Sequence, residues 1–169
     1  IKTTERYGVS LDEVANSARS VSRLYKETAT VLGMVDQITL LNVIDNVNLD
    51  NATKGLEATM VSYGKGLKDT HEILAFSMDV IDRITTLTHN AFAKGDDLVQ
   101  ILQRAAPAAK VASMELNELL AIGTTALRST GLPGANIGNF LKTVIGTLAA
   151  PTDKVKESLD EIGVKLTDT

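Results

Sequence analysis

The stretch GLPGANIGNFLKTVIGTLAAPT, residues 131–152, decides the fold class. Gly131-Leu132-Pro133-Gly134 is a turn, because both glycines and the proline are poor helix-interior residues and good turn residues. Ile137, Phe140, Leu141, Val144, Ile145 and Leu148 then recur at three- and four-residue steps, the spacing of an apolar stripe on an α-helix. Pro151-Thr152 closes the stretch and opens a last short helix carrying Val155, Leu159 and Ile162, with Gly163 placed just past its end. Gly138 and Gly146 fall inside the longer helix, where glycine costs about 1 kcal/mol relative to alanine. Close approach of a neighbouring helix is the expected motive at Gly138, and propensity noise is the alternative.

Upstream the same period repeats. Ser10 followed by Glu13 is a capping-box start, and Leu11, Val14, Ala18, Val21, Tyr25, Ala29 and Leu32 trace one stripe from it. Gly33 interrupts this helix or bends it, and residues 34–46 stay helix-compatible; one bent helix and two helices are both open. The cluster Asn48-Leu49-Asp50-Asn51 breaks the chain and caps the next helix, whose face is Ala52, Leu56, Met60 and Tyr63. Gly64-Lys65-Gly66 ends it. Asp69 with Glu72 starts a long helix with the seam Ile73, Phe76, Val80, Ile84, Leu87 and Ala91. Gly95-Asp96 opens another with Leu98, Ile101, Leu102 and Ala105, in which Pro107 either makes a kink or begins a new helix. Ser113 is the expected cap for Leu116, Leu119, Leu120, Gly123 and Leu127. The β-branched stretches 36–47 and 79–88 lack two-residue alternation, and their threonines can bond back to the preceding turn. The expected fold is all-α: a multi-helix array or irregular bundle with short Gly/Pro/Asn-containing turns, with compact and elongated arrangements and coiled-coil seams all open. It divides into an N-terminal helical segment 1–47, a central helical hairpin 48–94 and a C-terminal helical segment 95–169. No strict repeat is present, although the passages beginning near Ser10 and Ser113 are loosely alike.

Composition narrows the function. The 169 residues are 44 % apolar and 22 % charged, a globular mixture. Aromatic residues are only 4 % and Trp is absent, so helix contacts must rest on Leu, Val, Ile, Ala and Thr in thin seams rather than around a deep ligand cavity. A net charge of −4 offers no general attraction for phosphates, so no sequence-specific nucleic-acid reader is expected. With no cysteine, disulfides, thiol nucleophiles and cysteine-held zinc are excluded. No stretch approaches the roughly 18–20 apolar residues of a spanning helix. The chain begins with Ile1, and is expected to be one fragment of a longer polypeptide.

Candidate chemistry is thin. His71 and His89 lie eighteen residues apart on one helix, about 27 Å at helical rise, too far to share a metal. Gly64-Lys65-Gly66 lacks the spaced glycines and Lys-Ser/Thr pair of a phosphate loop. Asp12-Glu13, Asp79 with Asp82, and Asp96-Asp97 fall at helix starts or on polar faces, where capping outweighs acid–base catalysis. No nucleophile-elbow motif supports a hydrolase. No catalytic residue, cofactor or metal is expected.

The C-terminal part carries a resemblance. Met114-Glu115-Leu116-Asn117-Glu118-Leu119-Leu120-Ala121, then Gly131 through Gly138, Leu141-Lys142, Ala150-Pro151-Thr152, and Leu159 through Val164 together resemble the core segment of phage tail tape measure proteins. The likeness is clearest over residues 96–164; residues 49–82 resemble the family's more variable helical region. Leu132-Pro133, where small polar residues are usual, and Lys142, where arginine is usual, depart from the pattern and leave the helix–turn–helix intact. The resemblance implies a virion structural role in tail assembly and in the organisation of the tail lumen or tip. It also implies copies of the chain itself and tail tube or tip proteins as partners, in the virion tail and, during assembly, in the host cytoplasm. A non-viral helical protein-interaction module is the alternative. As a ruler the chain is short, since 169 residues of unbroken helix span only about 250 Å.

Two residue sets follow as candidates. Gly131, Pro133, Gly134, Gly138, Pro151 and Gly163 are expected at turns or close packing. Val80, Ile84, Leu87, Phe140, Leu141 and Val144 are expected at helix–helix interfaces, and the seams Leu11 to Leu32 and Ile73 to Ala91 are expected to bury against symmetry mates in a homo-oligomer.

Overall fold

The computed structural model describes residues 8–91 and 93–163; Val164, the last position of the family-like pattern, lies outside them. Among the described residues the chain forms eight α-helices and no strand. They are α1 (Leu11–Leu24), α2 (Thr28–Asp45), α3 (Leu49–Tyr63), α4 (Thr70–Ala91), α5 (Gly95–Val111), α6 (Leu116–Thr130), α7 (Gly134–Ala149) and α8 (Asp153–Glu161).

Short polar side chains set several of the starts. Ser10 Oγ accepts the Glu13 N–H at 3.2 Å, and its hydroxyl donates to the Glu13 carboxylate at 2.8 Å. Asn48 Oδ1 accepts from the N–H groups of Asp50 and Asn51 at 3.0 and 3.1 Å, as its position before α3 requires. Asp69 Oδ1 takes the Glu72 N–H at 2.9 Å while the Glu72 carboxylate takes the Lys68 N–H at 2.8 Å. In the β-branched stretches Thr39 and Thr88 donate back to Val35 and Ile84 carbonyls at 2.7 and 3.0 Å, which lets threonine sit inside a helix.

Three local expectations need correction. The first break falls at residues 25–27, and Gly33 sits within α2 without interrupting it. A single helix from Leu11 to Asp45 would be roughly 52 Å long, whereas its neighbour α3 has only 15 residues. Folding back after Leu24 lets Val21 and Met34 enter one core from two helices. Ser113 does not cap α6: it sits at φ 57°, and the helix starts at Glu115, whose N–H donates to Glu118 Oε2 at 2.9 Å. Pro107 begins no new helix; it lies inside α5 on its exposed side, where the missing N–H is tolerated.

Two layers result. In the first, α1, α3, α5 and α7 lie side by side in chain order, and each runs parallel to the next. Ser17 Oγ meets Thr53 Oγ1 at 2.8 Å between α1 and α3. Asp96 holds the start of α3, and Lys110 near the end of α5 lies 5.2 Å from the Tyr63 ring at the end of α3. In the second layer α2 runs parallel to α4, joined by Thr30 to Thr70 at 2.7 Å and Thr85 to Asp45 at 2.7 Å. Helix α6 leans on α5 and α7.

Helix α5 is the centre. It packs most extensively on α3 and α7 and also touches α4 and α6. Leu98, Val99, Ile101, Leu102, Ala105, Ala106 and Ala109 are all buried on it. Its neighbours present glycine to it. A Cβ on Gly55 of α3 would stand 2.5 Å from the Val99 carbonyl oxygen, and one on Gly138 of α7 would stand 3.1 Å from Gln100 O, Ile101 Cα and Arg104 Cβ. On Gly134 it would overlap the Asp97 backbone, and on Gly123 of α6 it would meet Ile101 at 3.2 Å. Gly146, by contrast, faces open space.

This contrast makes a paired prediction. Gly55→Ala forces backbone apart and is expected to destabilise the chain by about 1–3 kcal/mol. Gly146→Ala, exposed on α7, is expected to be neutral or to add up to about 1 kcal/mol through helix propensity. Urea unfolding followed by circular dichroism measures both; equal effects from the two substitutions would contradict the glycine seam.

Candidate functional site

The polar groups of this chain that do the most lie where three parallel helices begin. Asp96 and Asp97, consecutive in the first turn of α5, each reach a different neighbour. Asp96 Oδ1 accepts the Asn48 backbone N–H at 3.0 Å, and its two oxygens accept from Asn51 Nδ2 at 3.0 and 3.1 Å; Gln100 Nε2 adds a further bond to Oδ2 at 2.7 Å. Asp97 Oδ1 accepts the Gly134 N–H at 2.7 Å. The two carboxylates therefore sit among the N-termini of α3, α5 and α7, where unsatisfied N–H groups and helix dipoles favour negative charge. Their chemistry is capping between helices. The sequence marks them only as an acidic first turn, and nothing local says that the helices they cap are others.

At the opposite end of the same seam, Tyr63 donates its hydroxyl to the Met114 carbonyl at 3.0 Å while Lys110 lies over its ring. Burial, then the nearby carboxylates of Glu115 and Glu118, push its ionisation up to about 12. Glu57 on α3 is half-buried, and burial raises its pKa against the opposing effects of a Ser20 hydrogen bond and the Arg23 charge. Between α2 and α4, the Asp45 side chain is fully buried, takes the Thr85 hydroxyl on Oδ2, and lies 3.6 Å from His89 Nε2. His71 and His89 are both exposed on α4, and among the described residues no group of three or more His, Cys, Asp or Glu side chains is placed to hold a metal. Asp79 pairs with Arg83 one turn on at 2.8 Å.

The turn and packing residues fall into two groups. Gly134 and Gly138 are buried against α5. Gly131 and Gly163 adopt the left-handed conformation at φ 66° and 76°, past the ends of α6 and α8. Pro133 precedes α7 as its N-cap, and Pro151 lies half-buried in the connection to α8. The interface set is divided likewise. Val80, Ile84 and Leu141 are buried within the chain, Leu87 and Val144 are half-buried, and Phe140 is 61 % exposed. The seam Ile73 to Ala91 thus has Ile73, Val80 and Ile84 occupied inside its own chain, so they are not open to a symmetry mate. The stripe Leu11 to Leu32 is split between α1 and α2, with Val21 buried and Leu11 and Leu32 exposed at 60 and 61 %.

An apolar groove is open at the surface. The second layer does not close between α4 and α6: a groove of about 330 Å³ lies there, lined by Asp82, Arg83, Thr86 and Leu87 on one wall and Asn117, Leu120 and Ala121 on the other. Arg83 bridges it by donating to Asn117 Oδ1. No helix among the described residues is long and apolar enough to cross a membrane.

Taken with known proteins, the whole of residues 1–169 matches the model of the phage-related minor tail protein family. The chain belongs to that family. It is also 30 % identical over 105 residues to a probable tape measure protein of Escherichia phage P2, an alignment that takes in 62 % of this chain and 13 % of that protein. The chain thus spans a small part of the length of this relative. No solved structure matches. Membership places the chain among phage minor tail proteins, structural components of phage tails.

Two outcomes test the site. Asp97→Ala removes the cap on Gly134 and is expected to cost about 1–2 kcal/mol, with faster hydrogen exchange confined at first to the start of α7; unchanged stability would rule out the inter-helix cap. The raised Tyr63 pKa means that the folded chain holds this proton more tightly than the unfolded one. The associated stability is complete below pH 10 and lost as pH rises towards about 12. In an alkaline titration Tyr63→Phe should therefore remove the latest-appearing phenolate absorbance, and loss of an early one instead would contradict the assignment.

Proposed function

We propose that this chain is a helical packing module of a tape measure protein, acting in tail assembly and in the organisation of the tail lumen or tip. The observation that carries the reading is the likeness over 105 residues to the probable tape measure protein of phage P2, within a family match over the full chain. The motif from Gly131 to Gly163 supports it on separate grounds, because Gly134 and Gly138 in that motif are the residues that let α7 lie against α5. The role is non-enzymatic: the best-connected carboxylates, Asp96 and Asp97, are engaged in capping helices. The partners are further copies of the chain and tail tube or tip proteins, met first in the host cytoplasm during assembly and then in the finished tail. Exposed apolar side chains on several helices, among them Leu32, Val61, Ile122 and Phe140, supply surface for such contacts.

The test is genetic and structural together. Particles made with the gene carrying Gly55→Ala combined with Gly138→Leu should assemble tails poorly or not at all, while capsids accumulate. Peptides of the wild-type chain should be found by mass spectrometry in purified tails. Normal tails from the double variant, or tails free of the chain, would refute the reading. Light scattering on the purified chain tests self-association separately: an oligomer is expected, and a monomer at all concentrations would remove the homo-oligomer from the account.

A further inference from the structure

Helix α1 is the least firmly held member of the first layer, and an ionisable group stands in the seam that holds it. Only Ser17 and Val21 of α1 are buried, fewer than on α3, α5 or α7; Val14 and Ala18 add half-buried contact. The helix packs on α3 and α2, and the extended residues Tyr25 and Glu27 lead from it into α2.

The seam between α1 and α3 has two polar rungs about one helical turn apart. Ser17 Oγ and Thr53 Oγ1 form the first at 2.8 Å, buried and uncharged. Ser20 and Glu57 form the second, three and four residues further along the same faces. Here the serine hydroxyl donates to the carboxyl, while Glu57 Oε1 is buried with no hydrogen-bond partner. The charges acting on the carboxyl are Arg23 from α1 and Asp50 and Lys54 from α3 itself. Asp50 and Lys54 pair with each other at 2.6 Å, and their effects on Glu57 oppose. Helix α5 packs on the far side of α3 at Gly55, about 160° around the helix from Glu57. Among the described residues, α2, α4 and α5 add no charge to that set. An ionised carboxylate held in this way has one oxygen answered and one not, and lifting α1 opens both to water. A neutral carboxyl loses far less on burial and keeps the rung.

We propose that α1 is a hinged arm whose seating on α3 is governed by the protonation of Glu57: closed while the carboxyl is neutral, and readily lifted once it ionises. Burial, ahead of the Ser20 bond and the Arg23 charge, raises the pKa of Glu57 in the closed arm. The closed arm therefore holds its proton more tightly than the lifted one. The associated stability is complete below the ordinary carboxyl range and is lost as pH rises through the raised value. Lifting the arm uncovers the Val14–Val21 stripe of α1 and the Thr53–Glu57 face of α3, two surfaces otherwise closed on each other.

Hydrogen exchange on the full 169-residue chain, from about pH 4 to about pH 7.5, tests the arm, each rate being divided by the intrinsic rate of its amide at that pH. Protection of residues 14–22, taken relative to α5, is expected to fall at least about threefold across the range. Glu57→Gln, which cannot ionise, should keep the acid-state protection at every pH. Arg23→Ala, which removes a cation favouring the ionised form, should move the fall to higher pH. A residue that only packs would produce neither change. Relative protection of α1 that stays flat or rises with pH overturns the proposal, as does a fall that persists unchanged in Glu57→Gln. If Glu57→Gln does not fold, Arg23→Ala decides: a fall left at the same pH removes Glu57 as the switch.

Discussion

Everything in this fold depends on how closely other helices approach residues 97–104 of α5. Helix axes normally lie about 8–10 Å apart, with the side chains at the contact setting the distance. Here α3, α6 and α7 bring Gly55, Gly123, Gly134 and Gly138 to the contact, and at Gly55 and Gly134 the space for a Cβ is already filled by α5 backbone. Each glycine inside a helix costs about 1 kcal/mol in propensity. Fully burying one Leu, Ile or Val returns about 1.5–3 kcal/mol, and α5 buries four such side chains, Leu98, Val99, Ile101 and Leu102. Close approach therefore outweighs the propensity loss, and it replaces the large aromatic anchors that this chain lacks.

The same constraint explains the polar design. Parallel helices packed this tightly bring their N-termini together, which concentrates unsatisfied N–H groups and aligned dipoles in one place. Asp96 and Asp97 answer that problem from adjacent positions, one to each side. Drawing the first layer together at α3, α5 and α7 also leaves the second layer uneven: α2 meets α4 at Gly33, where a Cβ would touch Leu74, while α4 and α6 stand apart around the groove. A tail protein built this way has a rigid spine on one side and an open seam on the other.

Much of this was legible in the sequence, and the limits have physical causes. Period and caps give the helix starts at Asn48 and Asp69 and the ends at Gly131 and Gly163, because these residues act locally. Gly138 was readable as a close contact, since an interior glycine has a local cost that demands a reason. Gly146 has the same cost and no contact, so the spacing of glycines alone does not separate packing from chance. The break after Leu24 carries no glycine or proline; it is imposed by the length of α3 beside it, which no local rule contains. Ser113 looks like a cap because its residue type suits one, but it is the left-handed residue that closes α5, with its N–H on the Lys110 carbonyl and the Met114 N–H reaching back to Ala109, and the cap of α6 passes to Glu115. The capping partners of Asp96 and Asp97 are 48 and 37 residues away and left no periodic trace. The order of the parallel helices is equally silent, because each pair uses different contact residues and the sequence shows no strict repeat.

Native-state hydrogen exchange resolved by residue tests the central place of α5 most directly. If the glycine seam organises the chain, amides of α5 from Leu98 to Ala106, together with the facing turns of α3 and α7, exchange only through global unfolding, share the highest protection, and lose it together in denaturant, while α8 exchanges first. Protection in α5 no greater than in α8, or α3 and α7 opening independently of α5, would contradict the account.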